Sequence, residues 1–180
     1  ECFDIENRLS QQLDIPVMHD DQHGTAVVVL ASMINACKYS GLQIPSASIG
    51  VIGLGAAGLG ISKLLMAYGA KRILGTDIKA PAREMLTDLG GHATNLSSIM
   101  EQSDIIVATT GVPGLIKPEM IKKRQAIFAL SNPNPEIKPE EALAAGAIFA
   151  ADGRSVNNAL AFPGLFKGAL TSKAKCINNR

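Results

Sequence analysis

The residues with the clearest chemical use lie in Val51-Ile52-Gly53-Leu54-Gly55-Ala56-Ala57-Gly58, which sets G-x-G-x-x-G between an apolar β-type run and an apolar helical run. At this spacing Gly53 permits a tight turn, Gly55 lets the backbone approach a pyrophosphate, and Gly58 lets the helix lie close to the strand. Leu54, Ala56 and Ala57 complete the loop, and free N–H groups at the helix start attract phosphate. Asp77 ends the next β-type run, where a carboxylate can accept hydrogen bonds from the adenine ribose. Its charge repels a 2′-phosphate and favours NAD, whereas Lys79, two residues on, leaves NADP open. Thr109, Thr110 and Gly111 follow a further apolar run, and ligands of an open α/β sheet lie beyond such carboxyl ends, so all three are expected to line the cofactor. The plainer readings are a glycine-rich turn that binds nothing and a simple Gly-Pro turn.

A second set of residues is acidic or amide-bearing. Asp20 and Asp21 stand together before a long apolar segment. Carboxylate oxygens suit a hard Mg²⁺ or Mn²⁺, but a tandem Asp at a helix start equally serves as a cap or a complement to the helix dipole. Asn132 opens Asn-Pro-Asn-Pro, which is also what an ordinary turn looks like. Asn157 and Asn158 are adjacent, and side-chain amides bind a carboxylate or carboxamide without adding a titrating charge. His19 and His23 are read as loop or packing residues.

The elements that must position these groups alternate. Apolar residues at helical spacing from Phe3 to Leu13 predict an amphipathic helix, Ile15 to Met18 a short strand, His19 to Asp21 a polar loop, and the stretch from Thr25 to Cys37 a buried helix closed by Gly41. From Ser48 onward, strands are predicted at 49–52, 72–76, 104–109, 126–130 and 148–151. Helices are predicted at 61–68, 83–89, 96–101 with Asn95 as cap, 118–123 and 139–145, and a further helix from Gly164. Continuous apolar strands joined by helical crossovers predict a Rossmann-like, doubly wound, mostly parallel α/β sheet with helices on both faces. Residues 1–40 read as a helix, short strand and helix leading in, and residues 41–180 as the dinucleotide-binding domain.

Composition supports that class. With 47% hydrophobic residues in 180, the chain can bury a substantial core, and with 4% aromatics and no Trp that core must be aliphatic. Seventeen Lys and Arg against 16 Asp and Glu, with no basic stripe, argue against nucleic acid as a partner. The longest apolar run, Ala26 to Met33, is too short to span a bilayer, and Cys2, Cys37 and Cys176 lack any paired spacing, which suits a reducing cytoplasm. The start at Glu1, in helix-like sequence, reads as a piece of a longer protein.

Beyond the glycine loop, three segments carry a family resemblance: Val17-Met18-His19-Asp20-Asp21-Gln22-His23-Gly24-Thr25-Ala26, Ala129-Leu130-Ser131-Asn132-Pro133, and Ser155-Val156-Asn157-Asn158 with Phe162-Pro163-Gly164. In type and order they resemble the NAD(P)-dependent, decarboxylating malic enzymes, over nearly the whole chain. The resemblance implies that Asp21 binds the divalent metal, that Asp20 belongs to the catalytic hydrogen-bond network, and that Asn132 and Asn158, with Asn157 beside them, touch substrate and nicotinamide. It further implies hydride transfer from malate to NAD or NADP, metal-assisted decarboxylation to pyruvate and CO₂, and a homo-oligomeric parent. In that family a Lys and a Tyr act as base and acid in a preceding domain, and a Glu-Asp pair completes the metal site. None of these matches a residue here, so the piece alone is expected to be inactive. Competing readings are the dinucleotide domain of an amino-acid or folate dehydrogenase, and a non-catalytic nucleotide-sensing module.

Overall fold

The computed structural model describes residues 2–178. Six strands, β1 (Ser48–Ile52), β2 (Arg72–Thr76), β3 (His92–Ala93), β4 (Ile105–Ala108), β5 (Ala126–Ala129) and β6 (Phe149–Asp152), form one sheet in the order β3-β2-β1-β4-β5-β6. Every pairing is parallel. The order turns back between β1 and β4, so the crossovers from these two strands leave in opposite directions and open a crevice above their carboxyl ends.

Alternation along the central strands sends side chains into two cores. Ile49 and Val51 of β1, Ile105 and Val107 of β4, and Phe128 of β5 join a core covered by α2 (Asp20–Ser40) and α3 (Ala56–Tyr68). Ile52, Ile106, Ala108, Ile127 and Ala129 point to the opposite core, covered by α5 (Leu96–Gln102) and α6 (Pro139–Ala144). Strands buried on both faces favour apolar residues along their length, which is why β4, β5 and, after Ser48, β1 read as continuous apolar runs. The doubly wound α/β architecture is therefore as the sequence pattern implies.

Elements differ from expectation at four places. Ile15–Met18 forms no strand: no neighbour pairs with its backbone, and an extended segment without a ladder partner is only a connection. Asp20 and Asp21 are not in a loop but in the first turn of α2, whose fully buried Val29 and Met33 sink into the same core as α3. Pro118–Met120 makes one 3-10 turn rather than a helix to 123, because Ile121 turns extended and packs against the second core. The two-residue β3 was not foreseen; too short for any periodicity, it exists through pairing with Leu74 and Gly75.

Outside the sheet, α1 (Cys2–Gln12) precedes α2, α4 (Ala80–Asp88) follows β2, and α7 (Phe162–Ser172) is the last element of the described residues. Gly41 caps α2 in the left-handed conformation and Asn95 caps α5 through its side chain, as their sequence contexts predict. Of the polar tail, Asn179 and Arg180 lie outside the described residues. Among the described residues no helix is long and apolar enough to cross a membrane.

Candidate functional site

The glycine loop joins β1 to α3 at the crevice. Gly53 sits at φ 91°, a conformation that favours glycine, and a methyl on Gly58 would overlap the Gly53 carbonyl oxygen. Helix and strand can meet this closely only without that methyl. Gly55 caps α3 with no side chain, so the first-turn N–H groups keep their capacity to bind an anion. Thr109 Oγ1 donates to the Gly53 carbonyl at 3.1 Å and fixes the loop to the end of β4.

Two clefts flank this loop. The first, of about 480 Å³, is lined by Gly53, Leu54, Gly55, Asp77, Thr109 and Thr110, with Ile78, Leu96, Val112 and Leu115 as apolar walls. The second, of about 350 Å³, is lined by Asp21, Ala56, Ala57, Thr109, Ser131, Asn132, Asn157 and Asn158. Thr109 is common to both, so a ligand that crosses the loop can reach both. Gly111 borders neither; its N–H donates to Ser131 Oγ at 2.8 Å.

Asp77 does more than face the first cleft. One carboxylate oxygen accepts the Leu54 N–H at 2.7 Å and the other the Lys79 N–H at 2.8 Å, so the acidic side chain also holds the glycine loop to the end of β2. Each oxygen retains a lone pair for a ribose hydroxyl.

The second cleft is assembled from distant segments. Asn158, in a 3-10 turn (Asn158–Leu160), donates from its amide to Asp20 Oδ2 at 2.7 Å and lies 3.4 Å from Asp21 Oδ1. Asp20 Oδ1 is buried without a hydrogen-bond partner, in space that a methyl on Gly24 would fill. Burial first and the neighbouring Asp21 charge second raise the Asp20 pKa above its ordinary value, while His19 and the Asn158 amide pull the other way. Asp21 stays exposed, 71% of its side chain open to solvent, with His19 Nε2 3.9 Å away. Asn132 and Asn157 both donate to the Gly153 carbonyl, at 2.9 and 3.3 Å, which fixes their amides at the cleft wall.

Two carboxylates that the sequence did not single out organise this region. Glu6 on α1 accepts from His19 N, Gln22 Nε2 and His23 Nε2, each at 2.8 Å, and so pins the start of α2. Glu136 is completely buried and takes donors from both Thr110 and Ser131. Glu6 reads as one polar residue of an amphipathic helix; the only hint of Glu136 is a lone acid between Pro135 and Ile137.

Comparison with known proteins bears on the family and the fold. A family model for the D-isomer specific 2-hydroxyacid dehydrogenase NAD binding domain matches residues 17–124. The chain is 56% identical over 179 residues to NAD-dependent malic enzyme 1 of Bacillus subtilis, covering 99% of this chain and 41% of that protein. The chain belongs to this NAD-binding domain family and is homologous to malic enzymes. That domain binds a nicotinamide dinucleotide. An NADP-dependent malic enzyme of Halomonas elongata is 39% identical over 99% of this chain and 47% of its own length. The crystal structure of a malic enzyme from Pyrococcus horikoshii superposes with a TM-score of 0.87 at 35% identity, covering 99% of this chain and 48% of that one. The chain thus spans less than half the length of these malic enzymes.

The donor set bears on the metal that the malic enzyme resemblance implies. Asp21 offers an exposed carboxylate beside the Asp20 oxygen that lacks a partner, and oxygen donors match the preference of Mg²⁺ or Mn²⁺. Among the described residues no group of three or more His, Cys, Asp or Glu is placed to hold a metal ion. The residues present therefore fit one arm of such a site.

Proposed function

We propose that the whole protein oxidises malate with NAD and decarboxylates the product to pyruvate and CO₂, and that the second cleft is this chain's share of the reaction site. The supporting observation is the hydrogen bond from Asn158 to Asp20, which brings the acidic pair and the amide loop together beside the glycine turn. The dinucleotide lies across the loop, with its adenine ribose at Asp77, its pyrophosphate at Gly53–Gly58 and its nicotinamide toward Thr109, Asn132 and Asn157. NAD is preferred over NADP because the Asp77 carboxylate repels a 2′-phosphate.

In this reading Asp21 is the carboxylate offered to Mg²⁺ or Mn²⁺, which when bound supplies electrophilic polarisation of the substrate's C2 oxygen. Asp20 holds a place in the hydrogen-bond network behind it, with its neutral form favoured by burial. Asn158 orients Asp20 and faces the substrate, and Asn132 binds a substrate carboxylate or the carboxamide of the nicotinamide. The proton to and from the substrate is carried by groups beyond those in this sequence, as the resemblance implies. Residues 1–40 lead in from that catalytic part and residues 41–180 bind the dinucleotide. We further place the protein in the cytoplasm, in keeping with the free thiols of Cys2, Cys37 and Cys176, and as a homo-oligomer. Phe166 and Leu170, both exposed on α7, are apolar surface for a subunit or another part of the protein to cover.

The test is an assay of the full-length protein with L-malate, NAD and Mn²⁺ that follows NADH and released CO₂ together. Equal yields of both, lost on Asp21→Asn, support the reading. NADH without CO₂ replaces it with plain 2-hydroxyacid oxidation, the activity named by the matching family model.

A further inference from the structure

Glu136 is 0% exposed, yet it follows β5 in a loop beside both clefts. Oε1 accepts the Thr110 N–H at 2.7 Å, the Thr110 hydroxyl at 2.8 Å and the Ser131 hydroxyl, and Oε2 accepts the Ser131 N–H at 3.3 Å. All four partners are donors, an arrangement that suits the two acceptor oxygens of a carboxylate and misfits the mixed donor and acceptor of a Gln amide. The bonds continue outward: Thr110 Oγ1 accepts the Val112 N–H at 3.1 Å, and Ser131 Oγ accepts the Gly111 N–H at 2.8 Å. The backbone adds a second tie, from Ile116 N to the Glu136 carbonyl at 3.0 Å. One buried carboxylate thus joins the loop after β4 to the loop after β5.

We propose that Glu136 is the positioning residue for the nicotinamide half of the cofactor, locking Thr109–Gly111 and Ser131–Asn132 into one rigid platform. This rests on the reading that the second cleft takes the nicotinamide. The logic is preorganisation: Thr109 and Asn132 sit on loops that leave two neighbouring strands, and a buried tie between these loops limits their relative motion before the ligand arrives. The Glu136 carboxylate bonds none of Gly53–Gly58 or Asp77, so it reaches the pyrophosphate and adenine-ribose contacts only indirectly, through Thr109 and Thr110.

The experiment compares binding of NAD and of ADP-ribose, which lacks the nicotinamide, to the full-length protein and its Glu136→Gln form by calorimetry. ADP-ribose affinity is expected to stay within about twofold while NAD weakens by about tenfold or more, the scale of a lost hydrogen bond to a charged group. Equal loss of both ligands makes Glu136 a general structural tie and overturns the proposal, as does unchanged NAD binding. A wild-type protein that binds neither ligand overturns the dinucleotide reading instead. Should Glu136→Gln not fold, Ser131→Ala removes one donor and the acceptor for Gly111. It is expected to weaken NAD severalfold with ADP-ribose unchanged, and equal effects on the two ligands again overturn the proposal.

Discussion

The two clefts on either side of the glycine loop are built on different principles. The first is made by backbone that the strand ends bring together: a turn at Gly53, a helix start at Gly55, and Asp77 bonded to two backbone N–H groups. The second is made by side chains, with Asp20 and Asn158 in contact although far apart in sequence, and Asn132 and Asn157 sharing the Gly153 carbonyl. Backbone geometry is set by local sequence and the sheet, whereas side-chain geometry depends on loops being held by buried groups. The first cleft should therefore fail abruptly under a steric insult and the second should lose function by degrees.

The largest effect is expected at Gly58→Val. The added branches must displace the Gly53 carbonyl, itself bonded by Thr109. NAD affinity in the full-length protein should fall by about 100-fold or more, with about 1–3 kcal/mol of stability lost to overpacking. Calorimetry and denaturant unfolding measure the two, and retained tight NAD binding would show that the loop yields more than a backbone-built site can.

Next comes Asn158→Ala, which removes the amide from Asp20 and leaves that carboxylate with neither side-chain oxygen bonded to Asn158 nor, at Oδ1, to anything else. Malate turnover should drop by about 10- to 100-fold, typical of lost support behind a metal or reaction site, while NAD affinity holds. A matching loss of NAD affinity would mean that the two clefts are one mechanical unit.

Asp77→Ala is smaller and sharper. Leu54 and Lys79 lose their N–H acceptor, so NAD should weaken severalfold through both a loosened loop and a lost ribose contact. NADP gains from removal of the negative charge, so the NAD-to-NADP affinity ratio should narrow. Parallel weakening of both would limit Asp77 to holding the loop.

The difference between the clefts also explains what was legible in the sequence. Gly53, Gly55, Gly58 and Asp77 stand at spacings set by one βαβ unit, so local pattern was enough to bring them to one crevice. The continuous apolar runs of β4, β5 and, after Ser48, β1 gave away a sheet buried on both faces. For Asp20, Asp21, Asn132 and Asn158 no local rule predicts that they meet; only their likeness to a known family implies it. Glu6 and Glu136 carried neither signal. A lone carboxylate becomes informative only when burial and converging donors are seen, and both are properties of folded loops. Ile15–Met18 failed in the opposite sense, since an apolar run is a strand only if a neighbour accepts its backbone bonds.

The smallest effect is expected on the far side of the sheet, and it sets the baseline for the others. Asn95 caps α5 by accepting the Ser98 N–H at 2.8 Å, and α5 packs Ile99 and Met100 into the core opposite α2 and α3. Asn95→Ala leaves that first-turn N–H without its partner, at a cost of about 1 kcal/mol. For a domain of this size the melting temperature should fall by about 2–4 °C. Asn95 and Ser98 line neither cleft, and the capped turn offers the first cleft only the apolar wall of Leu96, so NAD and ADP-ribose affinities and malate turnover should stay close to the wild type at 25 °C. A drop in NAD affinity from so small a loss of stability would mean that α5, through the fully buried Ile99 against the Gly50 backbone of β1, helps set the glycine loop itself.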